Sequence, residues 1–110
     1  MTVLTIRAHK RYAVRQPVRL AKADHAAAQG LLIELSAEGL RISNLGRAAF
    51  AIGESVSVEV GEFSLRGLIR WAHDGIAGVR LDKALHSHQL GELIALGRGE
   101  IPAEVRRYGT

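Results

Sequence analysis

The sequence predicts an all-β fold: a six-stranded antiparallel β-barrel with a flexible N-terminal arm and a C-terminal α-helix. Three observations carry this prediction. Six short apolar runs read as strands, and those around Val18 and Val56 alternate apolar with polar residues, the period of strands with one buried face. The turns between them hold glycine, serine or aspartate, residues that supply turn chemistry. Only near the end does the apolar spacing change to threes and fours, at Leu90, Leu93, Ile94 and Gly97, which is the spacing of a helix face. Short antiparallel strands joined by tight turns close into barrels, because closure removes unpaired sheet edges.

Length and composition set the bounds. The 110 residues form one domain, with a barrel core over about residues 16–97, an arm over 1–15 and a loose tail over about 98–110. Hydrophobic residues make up 47% and charged residues 24%, a balance that supports a packed core rather than a disordered chain. Cysteine is absent, which excludes disulfides and thiolate metal sites. No apolar run reaches the ~18 residues that span a bilayer, and the N-terminus lacks an apolar signal segment. The expected location is therefore the cytoplasm, without membrane insertion.

Taken in order, residues 1–9 alternate weakly through Val3, Leu4 and Ile6 and fit a short strand or an arm ordered on binding. Arg7, Arg11 and Arg15 stand four apart. A helix would align them, but like charges at that spacing repel, and Val14, Pro17 and Val18 are poor helix formers. Extended or irregular backbone is expected there. From Pro17, Val18 and Leu20 alternate with Arg19 and Ala21 as a first strand. An alanine-rich connection leads to a strand over 30–35, a turn at Ser36–Gly39 and its partner over 40–44. Ser36 can bond local backbone, and Gly39 is free to take positive φ.

Residues 45–53 read as a loop that tucks Phe50 and Ile52 onto the core. Val56, Val58 and Val60 mark a fourth strand, and Gly61 and Glu62 a turn. Phe63, Leu65, Ile69 and Trp71 then mark a longer strand, bent at Gly67, with Trp71 in core phase. His73, Asp74 and Gly75 turn the chain into a last strand over 76–81. The helix that follows has Ser87 as its N-cap and stops at Gly97 or Gly99. It runs for roughly three turns and covers one barrel opening.

Charge is unevenly spread. Fifteen Lys and Arg against eleven Asp and Glu give a net charge of +4. No acid precedes Asp24, while Arg7, Lys10, Arg11, Arg15, Arg19 and Lys22 are all basic. Clustered cations of this kind favour phosphates and polyanions. Catalysis finds no support. Ser36 lacks the setting of a nucleophile elbow. Glu34 and Glu38 flank a turn and are expected to point to different sides. His86 and His88 have no third metal ligand nearby, and no phosphate-cradling glycine loop precedes the helix. The arginine pair Arg11 and Arg15 is different. Guanidinium binds phosphate bidentately and stacks on purines. A carboxylate such as Glu34 accepts hydrogen bonds from the N1 and N2 hydrogens of guanine, Ser36 can donate or accept, and Gly39 lets backbone come close.

These residues resemble a known family. RYAVRQPVRL is similar to the RxxxR segment of PilZ domains, ELSAEGLRI to their (D/N)xSxxG motif, and IRWAHDGIAGVRL to their later hairpin. The similarity covers residues from about 7 to 96. It implies a non-enzymatic receptor for the bacterial second messenger cyclic di-GMP, with no cofactor or metal and with a protein effector as partner. The ligand-binding residues it implies are Arg11, Arg15, Glu34, Ser36 and Gly39, with Arg7 and Lys10 as further candidates. Ligand would wrap the arm onto the barrel and change the surface offered to the effector. Position 34 departs from the motif: Glu keeps the carboxylate of Asp but moves it by one methylene, about 1.5 Å. A degenerate adaptor that binds protein and no nucleotide is the alternative. Nucleic-acid binding ranks last, because 5% aromatic residues leave few side chains on which bases could stack.

Overall fold

The alternation becomes six strands and one helix in a computed structural model that describes residues 10–23 and 25–99. The strands are β1 (Tyr12–Lys22), β2 (Ala28–Leu35), β3 (Gly39–Ser43), β4 (Ser55–Val60), β5 (Phe63–His73) and β6 (Ile76–Leu81), followed by α1 (Ser87–Gly97). All neighbours are antiparallel. Their order is β1-β2-β3-β6-β5-β4, and β4 pairs back onto β1 to close the barrel. The expected arm over residues 1–9, with Arg7, and the expected tail beyond residue 99 lie outside the described residues.

β1 starts earlier than the sequence suggests. Tyr12 and Ala13 pair with Leu35 and Glu34, so Arg15 belongs to a strand rather than to an arm ending before residue 16. Pro17 is tolerated because it lies where β1 pairs with β2 alone; pairing with β4 begins at Arg19, so the missing N–H can face the open side. The turns follow their residues. Asp74 and Gly75, at φ 53° and 78°, join His73 to Ile76 in a two-residue hairpin of the type that needs positive φ at both positions.

The barrel interior is filled by Val18, Leu20, Leu32, Leu35, Ile42, Val58, Val60 and Ile69, all at most 2% exposed. One end is closed by α1, whose Leu93 joins this core. Its last turn lies on β1, where a Cβ at Gly97 would stand 2.6 Å from the Cβ of Val14. Gly97 therefore serves close packing, and the positive φ that follows the helix belongs to Gly99, at 72°. The N-cap is His86 rather than Ser87. The His86 carbonyl accepts the Leu90 N–H at 3.0 Å, and Gln89 Oε1 accepts the His86 N–H at 3.4 Å.

The connection from β3 to β4 also differs from expectation. Phe50 packs against the core, but Ile52 is 75% exposed. The loop is held by polar contacts instead. Lys22 Nζ donates to the Ala49 carbonyl at 2.7 Å and to Glu54 at 3.3 Å. The Ala51 N–H, hydrogen-bonded to the Glu54 carboxylate at 2.7 Å, holds Glu54 below the ordinary carboxylate range, with Lys22 adding to the effect against a smaller opposing cost of desolvation. No helix among the described residues is long and apolar enough to cross a membrane.

Candidate functional site

Side chains reach the outer wall of the barrel through irregularities in the strands. Opposite Leu32 and Glu34 on β2, the partners on β3 are Ile42 and Arg41. Two steps on β2 match one on β3, so Ile33 is a bulge residue. Without it Glu34 would share the inward phase of Leu32. With it, Glu34 turns outward beside Arg41, and Leu35 returns to the core. β5 repeats the device: Ile69 and Trp71 face Val79 and Gly78. The bulge at Arg70 moves Trp71 off the inward phase of Ile69. Core phase, as read from the sequence, is therefore wrong for Trp71, and β5 is irregular at Arg70 rather than at Gly67. Gly67 instead serves close approach, because a Cβ there would run into the carbonyl of Arg80.

The β2–β3 turn forms the near end of the site. Ser36 Oγ accepts the Gly39 N–H at 3.0 Å and the Glu38 N–H at 3.3 Å. The Ser36 N–H in turn donates to the Gly39 carbonyl at 2.9 Å. The carbonyls of Ala37 and Glu38 accept from Leu85 at 2.7 Å and Leu81 at 2.8 Å, which pins the turn to the end of β6 and the segment before α1. The Ser36 hydroxyl thus shapes the turn from inside. Gly39 does not take positive φ. Its lack of a side chain matters because a Cβ there would stand 3.0 Å from the Val79 carbonyl on β6, tighter than ordinary packing.

These pieces enclose a groove of about 520 Å³ on the barrel wall. Arg11, Glu34, Ser36 and Gly39, four of the residues expected to bind ligand, line it together. Glu38 lines it too, so both glutamates border the same groove. Arg15 does not: it is exposed and borders a separate cleft between β1 and the end of α1, beside Arg98. Lys10 is exposed and lies outside the groove lining. Arg7 falls outside the described residues.

Sequence reasoning missed Arg41, Arg70, Trp71 and Arg80, which also line the groove. A signal for three of them was present. Arg41 and Arg80 each stand between inward-facing apolar residues, in LRI and VRL, and Arg70 follows inward-facing Ile69 in the same alternation, so all three had to point outward. Trp71 depends on the bulge, which leaves no local signature. Four guanidinium groups against two carboxylates give the groove an excess of two positive charges. Glu34 Oε1 lies 3.9 Å from Arg41 Nη1, with both side chains partly exposed, and such a pair is worth at most about 1 kcal/mol. The Arg41 guanidinium also stands 5.4 Å from the centre of the Trp71 ring. Among the described residues no group of three or more His, Cys, Asp or Glu could hold a metal ion.

Comparison with known proteins agrees with this architecture. A family profile described as PilZ domain matches residues 5–99. The fold is similar to the crystal structure of the PilZ domain of CeSA from a cellulose-synthesizing bacterium, with TM-score 0.61 and 22% identity over 80% of this chain and 94% of that one. It is also similar to the Bacillus subtilis inhibitor of motility MotI/DgrA, with TM-score 0.57 and 16% identity, covering 91% of this chain and 52% of that protein. No functionally curated protein matches the chain.

Proposed function

The chain belongs to the PilZ domain family, whose members are receptors or adaptors for cyclic di-GMP, and on that premise we propose that it is a non-enzymatic cyclic di-GMP receptor that signals through a protein effector. The observation that carries the proposal is the groove itself. It brings Arg11, Glu34 and the Ser36–Gly39 turn together with two unneutralised positive charges, which complement a ligand with two phosphates and a guanine edge. Guanidinium groups supply paired phosphate hydrogen bonds, and the Glu34 carboxylate accepts from guanine N1 and N2. Arg15 stands outside the groove beside the end of α1. On this reading the exposed Arg15 side chain swings toward the ligand while residues 10 and 11, which precede β1, close over it, and that movement alters the surface offered to the effector. Isothermal titration at low salt tests the proposal: saturable heat is expected, and Arg11→Ala and Arg15→Ala each weaken binding severely.

One observation favours a second reading. Glu34 already has Arg41 beside it, so a base must compete for the carboxylate, as in an adaptor that has given up nucleotide binding. That reading predicts proton–nitrogen spectra unchanged by nucleotide, together with co-purification of a protein partner.

A further inference from the structure

The outer face of β5 differs from the rest of the barrel wall. Arg66, Leu68 and Arg70 point outward from it and are exposed. Opposite Leu68 stand Ser55 on β4 and Arg80 on β6, and opposite Arg66 stands Ser57. A leucine that is 42% exposed is thus surrounded by the guanidinium groups of Arg66, Arg70 and Arg80. On the other strands Arg19, Lys22 and Arg41 each stand beside a carboxylate, that of Glu59, Glu54 or Glu34. Among the described residues no ion pair holds Arg66, Arg70 or Arg80. The apolar surface continues from Leu68 into the β3–β4 loop. The Gly53 N–H donates to the Ile69 carbonyl at 2.8 Å and the Ile69 N–H to the Glu54 carbonyl at 2.9 Å, which holds the loop against β5 beside Leu68. Ile52 and Leu68, two of the three large apolar side chains exposed among the described residues, therefore belong to one neighbourhood. The fold gains nothing from this arrangement, because the cations repel one another and the apolar side chains stay in water. An interface gains from both, since its centre is apolar and arginine is enriched in it.

We propose that this face of β5 is the docking surface for the protein effector, and that the segment it takes carries an apolar side chain among Asp and Glu residues. The inference rests on the reading above, in which the chain signals through an effector, and names the chemistry of that partner. Charge complementarity selects it. Carboxylates accept paired hydrogen bonds from Arg66, Arg70 and Arg80, while the apolar side chain covers Leu68 and Ile52. A polynucleotide would offer phosphates to the arginines and leave Leu68 and Ile52 unmatched. A membrane would gain little from two side chains, because such binding scales with the apolar area buried. Arg70 and Arg80 also line the groove, so a bound nucleotide competes for them, and ligand and partner weaken each other by the same factor.

The test uses the whole chain at low salt and a labelled synthetic peptide with one leucine centred among glutamates, read by fluorescence anisotropy. Saturable binding is expected. Leu68→Ser and Arg66→Ala should each weaken it roughly fivefold or more, and Arg47→Ala, which removes the same charge from an exposed position in the β3–β4 loop, should leave it unchanged. A peptide with serine in place of the leucine should bind more weakly, and saturating cyclic di-GMP should weaken the leucine peptide. Equal binding by wild type and both β5 variants, equal binding of the two peptides, or a peptide held as tightly by the nucleotide-saturated chain would overturn the surface. So would oligothymidylate or phosphatidylserine vesicles held through Arg66 and Leu68 in the peptide's place. Neither Arg66 nor Leu68 lines the groove, so both variants should give wild-type heat with cyclic di-GMP. Absence of that heat from every chain, with the peptide still held at Leu68, would remove the receptor reading and leave the docking surface.

Discussion

Replacing Ser36 by alanine separates a residue that shapes the site from one that only touches ligand. The hydroxyl accepts two backbone N–H groups, from Gly39 at 3.0 Å and Glu38 at 3.3 Å. Loss of an ordinary hydrogen bond costs about 0.5–1.5 kcal/mol. The turn is partly exposed, so water can replace part of what is lost, and the net destabilisation should be about 1–2 kcal/mol. For a domain of this size that corresponds to a drop in Tm of roughly 4–12 °C. Thermal unfolding of wild type, Ser36→Ala and Ser36→Thr measures it; Thr keeps a hydroxyl and should recover most of the loss. Binding of cyclic di-GMP should weaken in proportion to the loosened turn and by less than in Arg11→Ala. A Ser36→Ala protein with unchanged Tm and abolished binding would refute the reasoning, because the hydroxyl would then serve the ligand and not the turn.

Two further perturbations address the frame of the site. Gly97→Val places methyl groups where a Cβ alone already stands 2.6 Å from Val14; overpacking of this kind costs about 1–3 kcal/mol, and hydrogen exchange should show α1 opening more often. Glu54 is held below the ordinary carboxylate range by the Ala51 N–H and Lys22. A depressed carboxylate stabilises the fold at pH values above its unfolded pKa, and the contribution is lost as pH falls through the folded value. Glu54→Gln should therefore lower Tm at pH 7, and the difference from wild type should shrink on acidification below about pH 4.3.

The barrel was legible because its strands obey the simplest rule. Val56, Val58 and Val60 alternate with Ser57 and Glu59, and all three valines are buried. The same alternation predicted the wrong phase for Trp71, since a bulge at Arg70 is fixed by pairing with β6 and not by any local residue type. The start of β1 was hidden for a related reason. Tyr12 and Ala13 are held by the far end of β2, a partner more than twenty residues away. Glu34, Ser36 and Gly39 were legible as a carboxylate and a turn in which Ser36 bonds local backbone, but the positive φ expected of Gly39 is absent. Ser36 holds the turn, and Gly39 makes room for the Val79 carbonyl. Arg15 shows the opposite case: its motif partner Arg11 lines the groove, and it does not. Ile52 looked like a core residue from hydropathy alone, yet the loop is tied down through Lys22 and Glu54 instead.

Calorimetric titration of the wild-type chain with cyclic di-GMP at low salt, beside Arg11→Ala, Arg15→Ala and the control Arg19→Ala, tests the central claim most directly. Arg19 is exposed, pairs with Glu59 at 3.6 Å and does not line the groove. The expected result is saturable binding that each of the first two substitutions weakens at least tenfold, about 1.4 kcal/mol or more, while Arg19→Ala binds as wild type. No heat from the wild-type protein at high concentration, or equal losses in all three variants, would contradict it.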